Sequence, residues 1–278
     1  MVGSVNVDQF FRVTSLPRPG ETVLGSSVST APGGKGGNQA VAAARAGGTV
    51  QFVGAVGADP RGTELRAHLS ANGVGLDGVE ELSSASGSAV ILVDDHGENM
   101  IVVAPGANGH LTLNAAARGV IADADVLLVQ LEVPVVTAVA AAREARSVGA
   151  TVMVNASPVS TDPGLAELAE VADVVIVNEA EEAHWHWPTT HLVVTRGSRG
   201  ATYRGPDGAV DMPSPAVEAI DTTGAGDVFA GVLASAWSTG PDRALRRACA
   251  AGALSTLIPG AGDCAPSSEA IEDALTLY

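Results

Sequence analysis

The chain has 278 residues, a formal net charge of −16, 46% hydrophobic residues and only 3% aromatic ones. That length bounds it to one large domain or two small ones, and its acidity leaves no basic stripe for holding nucleic acid. No apolar run approaches the roughly 20 residues of a membrane span, no charged leader precedes an apolar run, and Cys249 and Cys264 show neither disulfide nor metal spacing. The expectation is a soluble cytoplasmic protein without a membrane partner.

In chain order, "GSVNVD" at 3–8 stands so near the start that a first strand has barely one residue before Gly3. Residues 10–33 read as extended, polar and turn-rich. The stretch "APGGKGGNQA" at 31–40 then sets four glycines around Lys35, the one lysine beside 14 arginines. It is not a Walker A loop, because Gly36 follows Lys35 where Ser or Thr is needed. Nor is it a dinucleotide fingerprint, because Gln39 stands where the third glycine should be. A glycine turn feeding the alanine-rich "NQAVAAARAGG" explains the glycines but not the lysine. A compact ammonium is not interchangeable with a guanidinium, so Lys35 is assigned a specific contact near the glycines.

Buried strands are predicted at 49–54, 125–131, 150–156, 173–179 and 191–197, and a helix over 134–149. This alternation specifies an α/β fold, a mostly parallel central sheet flanked by helices, with ligands at the carboxyl ends of the strands. Residues 87–108 read as a hairpin turning at Asp95-His96-Gly97. Together with 10–33 they form a small antiparallel β lid, since a lone two-stranded ribbon is marginal. "VILV" and "MIVV" are apolar on both faces and need cover from the main body or a second subunit. The expectation is a homodimer through the lid. In "HWHW" at 184–187 the histidines, two apart, share no helix face and no Cys or acidic set completes a zinc site. The segment reads as a surface turn with anchoring tryptophans.

In "AIDTTGAGDVFAGVLASAW" at 219–237, a β-like entry ends at Asp221, small residues follow at 224–226, and a helix runs from about Asp227. Glycines at a helix start let successive N–H groups converge where the dipole also favours an anion. Asp227 as a plain helix cap is the bland reading. An acid beside an anion hole makes more sense as a general base.

These residues carry a resemblance. "DTTGAGD" at 221–227, with "GGKGGNQA" at 33–40 and "GSVNVD" at 3–8, resembles the ribokinase branch of the ribokinase/PfkB sugar kinase family. "NEAE" at 178–181, "QLE" at 130–132, "GENMIVVAPGAN" at 97–108 and "TRGSRG" at 195–200 extend it nearly end to end. It implies one ribokinase-like domain over 1–278. It also implies an ATP- and Mg²⁺-dependent phosphotransferase, activated by K⁺, that makes D-ribose 5-phosphate from D-ribose. Position by position, Asp227 is the implied base, and the N–H groups of Gly224, Ala225 and Gly226 the implied anion hole. Asn6, Asp8, Gly34, Lys35, Asn38 and Glu132 match sugar-binding positions. Asn178, Thr195, Arg196, Gly197, Ser198, Arg199, Gly200 and Gly226 match the nucleotide side. Glu181 matches the acid that organises Mg²⁺ through water. Asp221, Thr223, Ser255, Ile258, Gly260 and Ser267 match the monovalent-cation positions, and Cys249 lies where relatives approach the adenine.

Two segments depart from the pattern. Only 9 residues separate Glu181 from His191, and "PGAGDCAPS" at 259–267 carries extra residues inside the cation segment. The residues leave open a sister kinase for another sugar, a sugar acid or a nucleoside, and a non-catalytic sugar-binding homologue.

Overall fold

The computed structural model describes residues 1–277. Its strands are β1 (Asn6–Val13), β2 (Gly25–Gly33), β3 (Gln51–Gly57), β4 (Gly75–Leu82), β5 (Gly87–Val93), β6 (Asn99–Ala104), β7 (Val126–Gln130), β8 (Thr151–Asn155), β9 (Val174–Asn178), β10 (His191–Thr195), β11 (Ala201–Gly205) and β12 (Gly208–Met212). Its α-helices are α1 (Lys35–Arg45), α2 (Pro60–Ala71), α3 (Ala115–Ala122), α4 (Val135–Ser147), α5 (Leu165–Val171), α6 (Glu179–Glu182), α7 (Ala225–Ala236), α8 (Pro241–Ser255) and α9 (Ser268–Leu277).

The five strands expected from apolar runs are β3 and β7 to β10. Their runs are continuous because both faces are covered. Leu127, Val129, Val152, Val154, Val175 and Val177 enter the core under α3, α4 and α5. The alternate residues Leu128, Met153, Val174 and Ile176 point the other way, against α7 and α8. Side chains of successive strand residues take opposite faces, so an apolar residue is required at every position. β7, β8, β9 and β10 are parallel neighbours, and the β11–β12 hairpin continues the sheet antiparallel to them.

β3 and β4 form a separate parallel pair. Val2 joins that pair to the rest, bridging Val53 on one side and Val129 on the other. Its N–H donates to the Leu128 carbonyl at 2.9 Å, and the Gly3 N–H donates to Val53 at 3.1 Å. The short first strand expected from the sequence is therefore a bridge of one residue.

The two extended regions do pair, in a four-stranded sheet of order β2-β1-β5-β6. Each hairpin is antiparallel, but β1 and β5 run parallel, from Asn6 opposite Gly87 to Arg12 opposite Val93. The sheet is mixed rather than wholly antiparallel because both central strands leave the body in the same direction. β1 also starts at Asn6 rather than near residue 10, which puts Asn6 and Asp8 on a strand. The turn of the second hairpin is tied by Asp94, whose Oδ1 accepts from the N–H groups of His96 and Glu98 at 2.9 and 3.0 Å. All six residues of β6 are exposed; by register Val28, Val90, Met100 and Val102 form one uncovered apolar strip, while Ile101 and Val103 face the other side of the sheet.

Where β1 leaves the body, Asn108 replaces a missing strand partner. Its Oδ1 accepts from the Val5 N–H at 3.0 Å, while its Nδ2 donates to the Val5 carbonyl at 3.0 Å and to Asn6 Oδ1 at 2.8 Å. Asn108 is buried, so truncation strands three polar groups away from water. We expect Asn108→Ala to cost about 2–3 kcal/mol, read as a lower urea midpoint with an unchanged m-value.

Candidate active site

The glycines at 33–37 have a steric reason. A Cβ on Gly36 would lie 2.7 Å from both N and O of Ser4, and one on Gly34 would lie 2.8 Å from the Asn6 nitrogen. Gly34 also has φ of +86°. The start of α1 therefore touches the chain at 3–6 backbone to backbone, and the Gly37 N–H donates to the Ser4 carbonyl at 2.8 Å.

That contact gathers the expected sugar residues. Glu132 Oε2 accepts from Ser4 Oγ at 2.5 Å and from the Lys35 N–H at 3.0 Å. Asn38 Nδ2 donates to Asp227 Oδ2 at 3.1 Å. Burial foremost, and then the charges of Glu132 and Asp227, push the Asp8 carboxyl up from 3.8 to about 6. Burial alone would lower the Lys35 ammonium, but Asp227, Glu132 and Glu181 outweigh it and hold it above its ordinary value. The chain's one lysine thus feels three carboxylates, two of which also act on Asp8, so the surroundings carry excess negative charge.

α7 begins at Ala225, two residues before the expected start, because Gly224 takes a left-handed cap conformation. The segment entering it is extended but forms no strand. The N–H groups of the first turn of a helix have no partner four residues back. Here Ala225 bonds only to the Thr222 carbonyl, at 3.3 Å, and Asp227 lies on the same turn. The geometry brings a carboxylate, a helix N-terminus and a polar cluster to one place.

The N-x-x-E motif is a capping box. Asn178 Oδ1 accepts from the Glu181 N–H, and Glu181 Oε2 accepts from the Asn178 N–H, both at 2.8 Å. Glu181 is buried, within electrostatic reach of Lys35. Among the described residues no three or more His, Cys, Asp or Glu gather as a metal cluster. A single acid fits a Mg²⁺ ion that keeps its waters and takes phosphate oxygens.

Among the residues expected on the nucleotide side, Thr195 ends β10 and Gly197–Arg199 form a short 3₁₀ turn closed by Gly200. Ser198 lies within that turn. Arg196 and Arg199 ion-pair with Glu179, and Arg196 Nε donates to Thr202 Oγ1 at 2.7 Å. With Asp211 they line a cleft of about 440 Å³, instead of joining the acidic cluster. The short segment after Glu182 is pinned by its tryptophans: Trp185 Nε1 donates to Thr189 Oγ1 at 2.9 Å, and both Trp185 and Trp187 pack on the core. Cys249 is buried against Met212, and burial pushes its thiol up to about 12.

In the cation segment, Asp221 accepts from the N–H groups of Thr223 at 2.9 Å and Gly260 at 3.0 Å. Burial works to raise the Asp221 carboxyl, yet Thr223, Gly260 and the Arg12 charge together hold it below its ordinary value. The Ser255 and Ser267 hydroxyls are engaged elsewhere, with the Gly252 carbonyl in α8 and the Ala270 N–H in α9. Ile258 is exposed. The extra residues pack over the start of α7: a Cβ on Gly224 would lie 2.7 Å from Ala261 Cα, and one on Gly262 would lie 3.2 Å from Asn38 Oδ1. Arg45 at the end of α1 holds this segment, donating to the carbonyls of Asp263 at 2.8 Å and Ala265 at 3.0 Å.

Sequence reasoning missed Ser4, Arg45, Asn108, Gln130, Asn155 and the role of Gln39. The available signal was a polar residue closing each of the apolar strands β7 and β8, at the end where ligands gather.

The raised Asp8 gives a signed prediction. Its folded value lies above its unfolded one, so its contribution to stability is lost as pH rises from about 4 through 6. Asp8→Asn should therefore stabilise the ligand-free protein at pH 7.5 by about 2 kcal/mol, with no gain below pH 4. Urea unfolding at both pH values checks this.

The chain matches the model of the pfkB family carbohydrate kinases over residues 1–268. It is 36% identical to a ribokinase of Bacillus subtilis, with 99% of this chain and 98% of that protein covered. A solved ribokinase from Thermotoga maritima is similar with a TM-score of 0.90 and 30% identity, covering 99% of this chain and 98% of that one. An Arabidopsis thaliana ribokinase, solved with ribose and ATP, is similar with a TM-score of 0.91 and 27% identity, covering 100% and 98%. With the family model matched over nearly the whole length, the chain belongs to the pfkB family of carbohydrate kinases.

Proposed function

We propose that the chain is an ATP-dependent kinase that converts D-ribose to D-ribose 5-phosphate. The observation that carries this is Asp227: its carboxylate lies on the open first turn of α7 and hydrogen-bonds Asn38 of the polar cluster. The end-to-end likeness to proteins named ribokinase supports the sugar. In this reading Asn6, Asp8, Gly34, Lys35, Asn38 and Glu132 bind ribose. Asp227 takes the proton of the 5-hydroxyl as its oxygen attacks the γ-phosphorus in line and ADP leaves. The N–H groups of Gly224, Ala225 and Gly226 face the phosphoryl oxygens, where preorganised donors stabilise developing charge.

Mg²⁺, oriented by Glu181 through water beside Asn178, would neutralise phosphate charge in a site whose own residues are mostly acidic. Thr195 to Gly200 flank the nucleotide. K⁺ would be held in the segment where Asp221, Thr223 and Gly260 meet, with Ser255, Ile258 and Ser267 as the further positions, and would offset the negative charge beside the start of α7. The setting is the cytoplasm, in keeping with two buried free cysteines; among the described residues no helix is long and apolar enough to cross a membrane.

The test is ADP release from ATP and Mg²⁺ across ribose, other pentoses, hexoses, sugar acids and nucleosides, each with and without K⁺. A ribose-selective, K⁺-stimulated signal supports the reading, and selectivity for another acceptor overturns the sugar. Asp227→Asn should lower kcat by about 10²–10⁴-fold while ribose still binds by calorimetry.

The four-stranded sheet serves as a lid over the sugar, and its uncovered strip is the homodimer interface. Exposed apolar strips of this kind mark association surfaces. Val102→Asp, at a position 64% exposed, should turn a dimer into a monomer by light scattering without lowering the melting temperature of the body.

A further inference from the structure

Behind Asp227, away from the sugar residues, lies a set of buried amides that no sugar or nucleotide contact requires. Gln39 Nε2 donates to Asp227 Oδ1 at 2.9 Å and to Asn155 Oδ1 at 2.9 Å. Gln130 Nε2 donates to Gln39 Oε1 at 2.6 Å. Asn155 Nδ2 donates to the Ile176 main-chain carbonyl at 3.1 Å. Gln39 and Gln130 are fully buried and Asn155 is nearly so.

The polarity of this chain is fixed from one end. A side-chain amide can turn over and exchange its N and O, but a main-chain carbonyl only accepts. The Ile176 carbonyl therefore requires the Asn155 NH₂, which turns Asn155 Oδ1 towards Gln39. Gln39 must answer with its NH₂, and its carbonyl then faces the donor of Gln130. The arrangement delivers an N–H, and never a lone pair, to Asp227 Oδ1. It is built at some cost, because Gln130 Oε1 is buried without a hydrogen-bond partner among the described residues. The Gln130 amide also occupies the space that a side chain at position 3 would fill. A buried unpaired acceptor destabilises a fold, which argues that the amides are kept for something other than stability.

We propose that Gln39, oriented by Gln130 and Asn155, is the positioning residue of the base: it occupies Asp227 Oδ1 permanently and leaves Oδ2 as the atom that takes the substrate proton. Among the described residues Oδ2 is held only by Asn38, on the first turns of α1, and an incoming hydroxyl replaces that partner. Oδ1 has no such exchange, since its donor is sealed from solvent. Charged groups near the carboxylate are Lys35 and Asp8. This inference rests on the kinase reading for its chemistry but not for its geometry.

The test uses the full chain and Gln39→Met, which keeps bulk and removes the donor, with Gln39→Glu as the isosteric partner should Met fail to fold. Two readouts are taken. The first is the ¹³C carboxyl titration of Asp227 without ligand, its resonance identified by loss in Asp227→Asn. The second is kinetics with the sugar that the wild-type panel selects. We expect both variants to titrate Asp227 at higher pH, by about one unit or more, with the acid limb of kcat moving alike. The Met variant should lose roughly 10- to 100-fold in kcat with KM for the sugar within about threefold. Gln130→Met should move both readouts in the same direction and by less. A folded Gln39 variant with unaltered titration and kcat overturns the proposal, as does one that lowers the melting temperature alone. If wild type transfers phosphate to no acceptor, the kinase reading fails, and the titration still decides whether Gln39 governs Asp227.

Discussion

The segment at residues 3–6 and the first turn of α1 touch without side chains between them, and the site depends on that contact. Gly36 lies on Ser4 so closely that a methyl group would push the two apart. Because they touch, Glu132 on one side reaches both Ser4 and the Lys35 N–H, and Asn38 on the other reaches Asp227. A gap of one methyl group at Gly36 would separate groups that must lie within hydrogen-bond distance of one small ligand.

The second constraint is electrostatic. Glu132, Glu181 and Asp227 act on one ammonium, and Asp8, beside Glu132 and Asp227, is raised to about 6 by burial first and by their charges second. A fold chosen for stability would not bury like charges together. The arrangement becomes favourable when hydroxyl hydrogens and a cationic group arrive to divide the negative charge. The ligand-free protein thus holds these carboxylates in a state of unmet demand.

How much of this was legible in the sequence follows from how local each feature is. β7 to β10 announced themselves because two-sided burial demands an unbroken apolar run. The glycines and Lys35 were visible as a pattern, but their reason, contact with Ser4, required the fold. The start of α7 was misplaced by two residues because the left-handed Gly224 turns the chain earlier than the acid suggests. Asn6 and Asp8 were legible as candidate site residues through the motif at 3–8, but that both lie on β1 required the fold. Arg196 and Arg199 read as nucleotide contacts; that both also pair with Glu179 could not be read from the sequence. The buried amides were illegible for another reason: Gln39, Gln130 and Asn155 are separated by 91 and 116 residues from one another's partners, and each alone is an ordinary polar residue in an apolar stretch.

α1 is a rod of 11 residues, about 16 Å long, with the sugar-side groups at one end and Arg45 at the other. Arg45 grips the carbonyls of Asp263 and Ala265, while Asp221 grips the N–H of Gly260. The extra residues are therefore a strap buckled at both ends over the start of α7, and only the span between the buckles is free to change length. Lengthening such a tethered span adds little closure entropy. Evolution can raise or lower the cover above the start of α7 there, residue by residue, while the helix that carries Asp227 stays where it is.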